Sequence, residues 1–213
     1  MLVVHHLGIS QSDRIVWLCE ELGIRYELKR YERDPVTRLA PPEYKALHAF
    51  GTAPVISDDG CTLAESGAII EYIIAKHGHG RLGVNATSPD FADYLFWFHF
   101  ANGSFMPAGI VEFVIKALGG GGDNETMRGL RKRLDLAFDL AESRLGQSQY
   151  FAGAAFTAAD IMMMFPLTTM RAFAPRDLGP YPNIRAYLQR IAARPGYRTA
   201  MQKADPGFTA PVT

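Results

Sequence analysis

The segment from Phe50 to Tyr72 constrains the fold of this chain more than any other part of it. An apolar run is entered through Pro54, turns at an Asp-Asp-Gly sequence and continues into a second apolar run. Proline has no N–H and fits best at the first residue or the edge of a strand. An X-Pro bond is the ordinary place for a cis peptide, and Asp-Gly between apolar runs is the strongest short-range signal of a β-hairpin. Ser66 then lies in the first turn of a helix, where free N–H groups and the helix dipole favour an anion. The segment therefore predicts a sheet edge at which Ala53 pairs with an extended peptide, beside a helix N-terminus that holds a carboxylate.

The sequence before this hairpin extends it to a small mixed sheet. The run that begins at Leu2 predicts a short strand, and apolar residues at i, i+3, i+4 and i+7 from Ile15 predict a helix that ends at Gly23. Alternating apolar and charged residues over Tyr26 to Tyr31 predict a second strand, which makes a βαβ unit with a parallel pair. With a short helix after Pro41, the predicted element order is βαβαββα around four strands.

The second half of the chain carries helical patterns only. Residues 79–89 are rich in glycine, asparagine and proline and predict a linker. Beyond them, apolar residues recur at helical spacing, with a bend near Pro107 and a break at the glycine run 119–123. The expected organisation is a domain over residues 1–78, the linker 79–89, and an all-helical domain over residues 90–213.

Two local features of the helical half are also predicted. Thr157 and Asp160 form a start that resembles a capping box for one of its helices, which gives both residues a folding role. The tail after Lys203 is rich in proline and glycine, so it is expected to be loose.

Charge and cysteine content argue against several classes of function. Lys plus Arg and Asp plus Glu both number 22, and a net charge of zero disfavours nucleic acid or an anionic membrane as the partner. The N-terminal apolar run is too short for a signal peptide, and no run reaches transmembrane length. Two cysteines are no disulfide framework, which favours a reducing compartment and a cytoplasmic location. Cys19 is expected in the core and Cys61 as an inert thiol, and His5, His6 and His99 lack a metal-ligand spacing, so no metal is expected.

Five features in order resemble the cytosolic glutathione S-transferases, over nearly the whole chain. They are the Ser-x-x-x-Arg loop from Ser10, the Gly-x-x-Pro-Val segment that contains Pro54, the Glu-Ser pair at Glu65, the all-helical second half, and the Thr-x-x-Asp box at Thr157. Each feature is weak alone, whereas all five at these spacings are a strong signal. The details are most similar to the bacterial and fungal serine-type members. The resemblance implies a thioredoxin-like first domain in which Pro54 matches the family's cis-proline.

The resemblance further implies that glutathione is the co-substrate and that Ser10 donates a hydrogen bond to its thiolate. A free thiol has a pKa of about 8.5, so lowering it by about two units requires roughly 2.7 kcal/mol of preferential thiolate binding. A hydrogen bond to a charged acceptor contributes about 1.5–3 kcal/mol, and a helix N-terminus adds about 0.3–1 kcal/mol. One hydroxyl at the start of the first helix is therefore nearly sufficient. By residue type alone, a plain loop serine is the commoner role for a residue such as Ser10 than a catalytic one, and Ser12 is expected to be the structural N-cap.

The same resemblance assigns the rest of the tripeptide. Glu65 and Ser66 match the pair that holds the γ-glutamyl end, although such a pair in a first helical turn also serves simply to complement the helix dipole. Ala53, held by Pro54, is implied to pair with the cysteinyl part of glutathione. A purely structural role is the alternative for Pro54.

The glycyl end and the electrophile are less well specified. Many members of the family carry Lys or Gln where this chain has Thr52, so Lys45 or His48 is the candidate for contacting the glycyl carboxylate. The expected wall of the electrophile pocket consists of Asn102, Phe105 and Met106.

Two classes of function follow. The first is an enzyme that transfers glutathione to a hydrophobic electrophile, with organic peroxides as further substrates and a role in detoxification. The second is a non-catalytic binding module of the same fold, against which the intact Ser10, Glu65 and Ser66 argue, and for which the uncharged Thr52 argues. A thiol–disulfide oxidoreductase requires a cysteine where Ser10 stands. The resemblance also implies a homodimer.

Overall fold

A computed structural model describes residues 1–120 and 124–212 of the chain. These residues form two structural units, and the first unit is built around a four-stranded sheet. The first unit comprises Met1–Gly83 and Ala193–Thr209, and the second comprises Val84–Ala192 with the residues that follow Thr209. In chain order, the elements are β1 (Val3–Leu7), α1 (Asp13–Leu22), β2 (Glu27–Tyr31), α2 (Pro42–Lys45), β3 (Val55–Asp58), β4 (Cys61–Ala64), α3 (Ser66–Lys76), α4 (Phe91–Phe100), a π-helical turn (Ala101–Phe105), α5 (Met106–Ala117), α6 (Glu125–Gln147), α7 (Ala158–Leu167), α8 (Thr169–Phe173), α9 (Pro182–Ala192) and α10 (Pro195–Ala204).

The sheet has the order β2-β1-β3-β4 and is mixed, as predicted. β1 runs parallel to β2 and antiparallel to β3, and β3 runs antiparallel to β4. Asp59 and Gly60 join β3 to β4 with φ of 47° and 85°. A two-residue loop with both central residues at positive φ matches the right-handed twist of the flanking strands, so the Asp-Gly hairpin is confirmed.

The predicted sheet edge is wrong in one respect. β3 lies between β1 and β4, so its backbone is paired on both sides, and the edge strands are β2 and β4. The backbone at Ala53 and Pro54 precedes Val55, where β3 begins. Any pairing with an extended peptide therefore has to occur in this loop, ahead of the strand.

Helices cover both faces of the sheet. Side chains alternate between faces along a strand, so Val4 and His6 of β1 point to one face and His5 and Leu7 to the other. Leu7 packs with Tyr44 of α2 in a core cluster, and α1 and α3 contact each other. The apolar positions that predicted α1 are all buried, namely Ile15, Leu18, Cys19 and Leu22, and Gly23 ends the helix in the left-handed conformation with φ of 62°.

The last helix belongs to the first unit, which differs from the predicted domain over residues 90–213. α10 packs on α1, and Arg194 donates to both carboxylate oxygens of Glu21 at 2.9 and 2.7 Å. The rings of Trp17 and Tyr197 meet edge to face with centroids 5.0 Å apart. A helical pattern indicates that a segment has an apolar face, but it does not indicate which core that face packs on. The sequence therefore did not reveal that α10 belongs to the first unit.

The second unit is built from α4 to α9. The predicted bend near Pro107 takes the form of the π-helical turn immediately before it, which places Pro107 in the first turn of α5, where its missing N–H is tolerated. Of the predicted break at 119–123, residues 121–123 lie outside the described residues. Within residues 1–120 and 124–212, no helix is both long and apolar enough to cross a membrane.

Candidate glutathione site

Ser10 lies in the loop between β1 and α1 and is almost fully buried, with 6% of its surface exposed. Its hydroxyl donates to the carbonyl of Leu7 at 2.6 Å, and its Oγ lies 2.7 Å from Oγ of Ser12. A hydroxyl has one proton and two acceptor lone pairs. To donate to a ligand, the Ser10 hydroxyl must therefore turn away from the Leu7 carbonyl, while its oxygen can keep accepting.

Ser12 occupies the N-cap position of α1 but does not cap with its side chain, which corrects the predicted role. Its Oγ accepts the Leu7 N–H at 3.2 Å and lies 2.9 Å from Nδ1 of His6. Because these partners lie on β1, the Ser12 hydroxyl joins the loop to the strand and contacts Ser10.

The loop that carries Ser10 is held in a strained conformation. Ile9 has φ of 48°, a region that β-branched residues rarely enter. The Ile9 N–H donates to Asp205 at 2.9 Å, and Arg33 donates to the carbonyls of Gly8 and Ile9 at 2.7 and 3.3 Å. Burial lowers the pKa of Arg33. These hydrogen bonds fix the backbone from which Ser10 projects.

Gln11 connects this loop to the start of α3. Its Oε1 accepts from Arg14 at 2.5 Å, and the Ser66 hydroxyl donates to the same oxygen at 3.4 Å. Burial lowers the pKa of Arg14 to about 10, which leaves the guanidinium charged at neutral pH. Gln11 was not predicted from the sequence, since a loop glutamine carries no signal of its own until the fold brings α3 beside it.

The Glu65-Ser66 pair has the geometry of a binding element. Ser66 is the first residue of α3 and is 1% exposed, whereas Glu65 is exposed and has φ of 71°. A non-glycine residue in this region costs about 1–3 kcal/mol and is typical of functional sites. The pair places a carboxylate and a buried hydroxyl beside the free N–H groups of a helix N-terminus, which suits a ligand with both an ammonium and a carboxylate group.

The third element is the loop before β3. The peptide between Ala53 and Pro54 is cis, and Thr52 is exposed. Lys45 is also exposed, and its Cβ and Cγ lie 3.7 Å from where a Cβ on Gly51 would stand. The Lys45 side chain therefore starts next to the loop that contains Thr52.

His48 is less suited than Lys45 to contact a carboxylate. Its Nδ1 accepts the Phe50 N–H at 3.3 Å, and its carbonyl accepts the Gly51 N–H at 2.9 Å. Both groups of His48 thus serve the turn that leads into Thr52, whereas Lys45 is exposed.

Two of the three expected electrophile contacts are core residues. Phe105 is 2% exposed and packs edge to face on Phe138 with ring centroids 4.9 Å apart, and Met106 lies in a buried cluster with Phe165 and Met170. Only Asn102 of the expected set is partly exposed. Aromatic residues occur all around α4 and the π-helical turn, so the sequence did not reveal which of them face inward.

A separate cavity of about 410 Å³ lies in the second unit. Its apolar lining comes from the end of α4, the π-helical turn, α5 and α6, and includes Phe100, Pro107, Val111, Leu136 and Leu140. Among the residues that the structure describes, no cluster of three or more His, Cys, Asp or Glu side chains is placed to hold a metal ion.

Comparison with known proteins identifies the family. The sequence model for the glutathione S-transferase N-terminal domain matches residues 10–76, and that for the C-terminal domain matches residues 104–195. Glutathione S-transferase 3 of Schizosaccharomyces pombe is 34% identical to this chain over an alignment 223 residues long. The alignment covers 96% of this chain and 88% of that protein. Glutathione S-transferase 1 of Saccharomyces cerevisiae is 29% identical, over 96% of this chain and 95% of that protein.

Solved structures agree with this result. The crystal structure of a glutathione S-transferase from Actinobacillus pleuropneumoniae is similar with a TM-score of 0.87 and 32% identity, covering 97% of this chain and 95% of that one. A glutathione transferase from Phanerochaete chrysosporium, solved in complex with oxidised glutathione, shares the fold with a TM-score of 0.76 and 18% identity, over 95% and 96% of the two chains. The mixed four-stranded sheet with its helices defines a thioredoxin-like domain, and α4 to α9 define a helical domain. The chain belongs to the cytosolic glutathione S-transferase family.

Proposed function

We propose that this protein is a glutathione transferase in which Ser10 stabilises the thiolate of glutathione for attack on a hydrophobic electrophile. The observation that carries the proposal is the connection of the Ser10 loop to Ser66 through Gln11. Because Gln11 follows Ser10 directly, this contact supports a site in which the loop that carries the Ser10 hydroxyl, for the sulfur, lies next to the helix N-terminus that would hold the γ-glutamyl end. Turning the Ser10 hydroxyl from the Leu7 carbonyl to the sulfur replaces a neutral hydrogen bond by a charge-assisted one, which is roughly twice as strong.

The remaining contacts follow from the charges of the tripeptide. The γ-glutamyl carboxylate would accept from the Ser66 hydroxyl and the N–H groups at the start of α3, and the exposed Glu65 carboxylate would pair with the γ-glutamyl ammonium. The backbone of Ala53, ahead of Pro54, would pair with the cysteinyl part. Lys45 would reach the glycyl carboxylate from beside Thr52, as an exposed ion pair worth about 0.2–1 kcal/mol.

The electrophile site is proposed in the second unit. Asn102 is the partly exposed member of the expected set and would contact the electrophile, whereas Phe105 and Met106 would support it from the core. The low charge of these residues fits an apolar substrate. A side activity on organic peroxides belongs to the same proposal, since a stabilised thiolate also attacks an O–O bond, and a peroxide-reduction assay would test it.

Replacing Ser10 tests the chemical role. Ser10→Ala is expected to lower kcat for conjugation at least about tenfold, a loss of about 1.4 kcal/mol of transition-state stabilisation, with a modest change in KM for glutathione. Ser57→Ala is the matched control, because Ser57 is a partly buried serine of the same unit that bonds to His5 and not to Ser10. An unchanged kcat in Ser10→Ala would remove Ser10 from the mechanism.

A non-catalytic binding module is the second candidate, and the exposed, uncharged Thr52 is the observation that favours it. It predicts no conjugation activity and no saturable binding of glutathione. Isothermal titration calorimetry with glutathione decides between the transferase and the binding module, since a transferase must show saturable binding of its co-substrate.

We also propose that the protein is a homodimer. Apolar side chains of α5 and α6 remain exposed in the single chain, among them Ile110, Phe113, Val114, Leu136 and Leu140, and two of these line the cavity of about 410 Å³. These side chains lie on two helices that pack against each other, and exposed apolar surface of this kind is typical of a protein interface. Analytical ultracentrifugation of the protein and of Val114→Lys would test the assignment, because a charge in the interface should shift the dimer towards monomer.

A further inference from the structure

A continuous chain of hydrogen bonds runs from Ser10 to a carboxylate at the other end of the sequence. Oγ of Ser10 lies 2.7 Å from Oγ of Ser12, and Oγ of Ser12 lies 2.9 Å from Nδ1 of His6. Nε2 of His6 lies 3.1 Å from Oδ1 of Asp205. Ser10, Ser12 and His6 are each at most 6% exposed, and all four residues belong to the first unit.

The direction of this chain follows from its ends. Burial raises the pKa of Asp205, but the hydrogen bonds from His6 and from the Ile9 N–H, together with the charge of Arg30, outweigh it and leave the pKa below its ordinary value. Asp205 is therefore ionised and accepts from Nε2–H of His6. In a neutral imidazole the other nitrogen is an acceptor. The hydroxyl that faces Nδ1 is that of Ser12, so Ser12 donates to His6 and its oxygen is free to accept. Ser10 donates to the Leu7 carbonyl in the ligand-free structure, and a rotation of its hydroxyl turns that proton to the Ser12 oxygen 2.7 Å away.

We propose that this chain receives the thiol proton of bound glutathione and holds it on His6. The inference rests on the proposed function, in which Ser10 contacts the sulfur. Ser10 and Ser12 pass the proton, and His6 and Asp205 act through them as positioning residues.

The proton balance closes within the protein. Oγ of Ser10 takes the proton from sulfur as its own proton moves to Oγ of Ser12, and the proton of Ser12 moves to Nδ1 of His6. No bond to carbon forms or breaks, and both hydroxyls end with one proton each. The result is a thiolate, an imidazolium and a Ser10 hydroxyl whose proton points at the sulfur. The same transfer thus creates the thiolate and the hydrogen bond that stabilises it.

Asp205 provides the reason that His6 can hold the charge. An imidazolium in a fully buried position is costly unless it is paired with an opposite charge. Charged groups near the pair among the described residues include Asp13 next to Ser12, Arg30 opposite His6 on β2, Glu32, and Arg33. The two arginines disfavour the imidazolium and the acids favour it, and Asp205 is the one in direct hydrogen-bond contact with the His6 ring.

A purely structural role for the chain makes a different prediction, and the unmodified protein distinguishes the two. Nitrogen-15 NMR of the His6 ring at neutral pH should show Nδ1 unprotonated in the free protein and protonated when glutathione is bound. S-methylglutathione is the matched ligand, since it fills the same site without a thiol proton, and it should leave Nδ1 unprotonated. His6 that stays neutral with glutathione, or that is already protonated without it, would overturn the proposal.

The Asp205→Asn variant tests the charge separately from the hydrogen bonds. His6 and Ile9 both donate to Oδ1 of Asp205, so an asparagine oxygen in the same position keeps both hydrogen bonds and loses only the charge. The ultraviolet absorbance of the bound thiolate should then titrate about one pH unit higher, with kcat/KM about tenfold lower at neutral pH. Asp34→Asn is the control. Asp34 is an exposed carboxylate of the same unit that accepts from two backbone N–H groups and takes no part in the hydrogen bonds from Ser10 to Asp205. It should leave the titration unchanged.

The outcomes separate this inference from the proposed function. A normal thiolate titration in Asp205→Asn, together with reduced activity in Ser10→Ala, would reject the proton chain and keep Ser10 as the thiolate donor. Full activity in Ser10→Ala would reject the proposed function itself. If Asp205→Asn does not fold, the NMR comparison of glutathione with S-methylglutathione decides alone.

Discussion

Replacing Asp160 by alanine is expected to destabilise the second unit by about 3–5 kcal/mol. The carboxylate is fully buried, and its Oδ1 accepts from the Phe151 N–H at 3.0 Å and the Tyr187 hydroxyl at 3.1 Å. Its Oδ2 accepts from the N–H and the hydroxyl of Thr157 at 2.9 and 3.3 Å. Alanine leaves two backbone N–H groups and a phenol buried without this acceptor, and each such group costs about 1–3 kcal/mol. Costs in the lower part of that range for these three groups give the expected loss of about 3–5 kcal/mol.

Urea unfolding measures this loss. Trp97 reports on the second unit and Trp17 on the first, so fluorescence and circular dichroism together follow both. The midpoint should fall without a change in m, which indicates a change in stability alone. Asp139→Ala is the control, because Asp139 is exposed and accepts one hydrogen bond from the Tyr181 hydroxyl at 3.2 Å, and it should cost less than about 1 kcal/mol. A loss below about 1 kcal/mol in Asp160→Ala would refute the reasoning.

The effect of Asp160 should also depend on pH. Burial raises the pKa of Asp160 to about 6, because desolvation outweighs the hydrogen bonds from Phe151, Thr157 and Tyr187. The folded pKa lies above the ordinary aspartate value of 3.8, so the stabilisation that this group contributes is present below that value and lost as the pH rises through about 6. The stability lost in Asp160→Asn should therefore be greater near pH 4 than near pH 7, by up to about 3 kcal/mol. A loss that does not change with pH would show that the carboxylate stays ionised throughout.

Three further substitutions address the first unit. Lys45→Ala should raise KM for glutathione about two- to fivefold at unchanged kcat, as steady-state kinetics would measure, since an exposed ion pair is weak; a fall in kcat would place Lys45 in the chemistry. Glu65→Gly should weaken glutathione binding in calorimetry yet leave the melting temperature equal or higher, because glycine tolerates φ of 71°; a lower melting temperature would contradict the strain argument. Arg194→Leu should cost about 1–3 kcal/mol in urea unfolding through its two bonds to the largely buried Glu21, and the exposed pair that Lys203→Ala removes should cost less than about 1 kcal/mol.

Those parts of the fold that depend on neighbouring residues were predictable from the sequence. The Asp59-Gly60 turn, the apolar face of α1 and the Thr157-Asp160 box each depend on a few adjacent side chains, and the structure contains all three. The interruption before Pro107 belongs to the same class, because a proline lacks the N–H that a continuous helix requires.

Features that depend on how elements pack were not predictable in this way. The sequence gives no sign that β3 lies inside the sheet, since a strand with two partners and a strand with one share the same short apolar pattern. Phe105 and Met106 were expected to contact the electrophile and instead lie in the core, because a helix with aromatic residues on every side has no pattern that marks its inward face.

The candidate site shows the same division. The resemblance to a family places Ser10 and Ser66 near one ligand but does not indicate what connects them. Gln11 was missed because its contact to Ser66 spans 55 positions of sequence. Ser12 was expected to cap α1, and its partners on β1 became visible only in three dimensions.

The end of the chain provides the clearest case. The tail after Lys203 was expected to be loose, yet Asp205 accepts from His6 across 199 positions of sequence and from Ile9 across 196. α10 brings it there, because Arg194 and Tyr197 fix that helix on α1. The strained backbone at Ile9, from which Ser10 projects, therefore depends on a carboxylate from the end of the chain. Any change that releases α10 should reach Ser10 in two ways, by freeing the loop backbone and by removing the charge beside His6. A substitution in the α1–α10 contact is thus expected to alter the thiolate titration as well as the stability, whereas one in the second unit, such as Asp160→Ala, should alter stability alone.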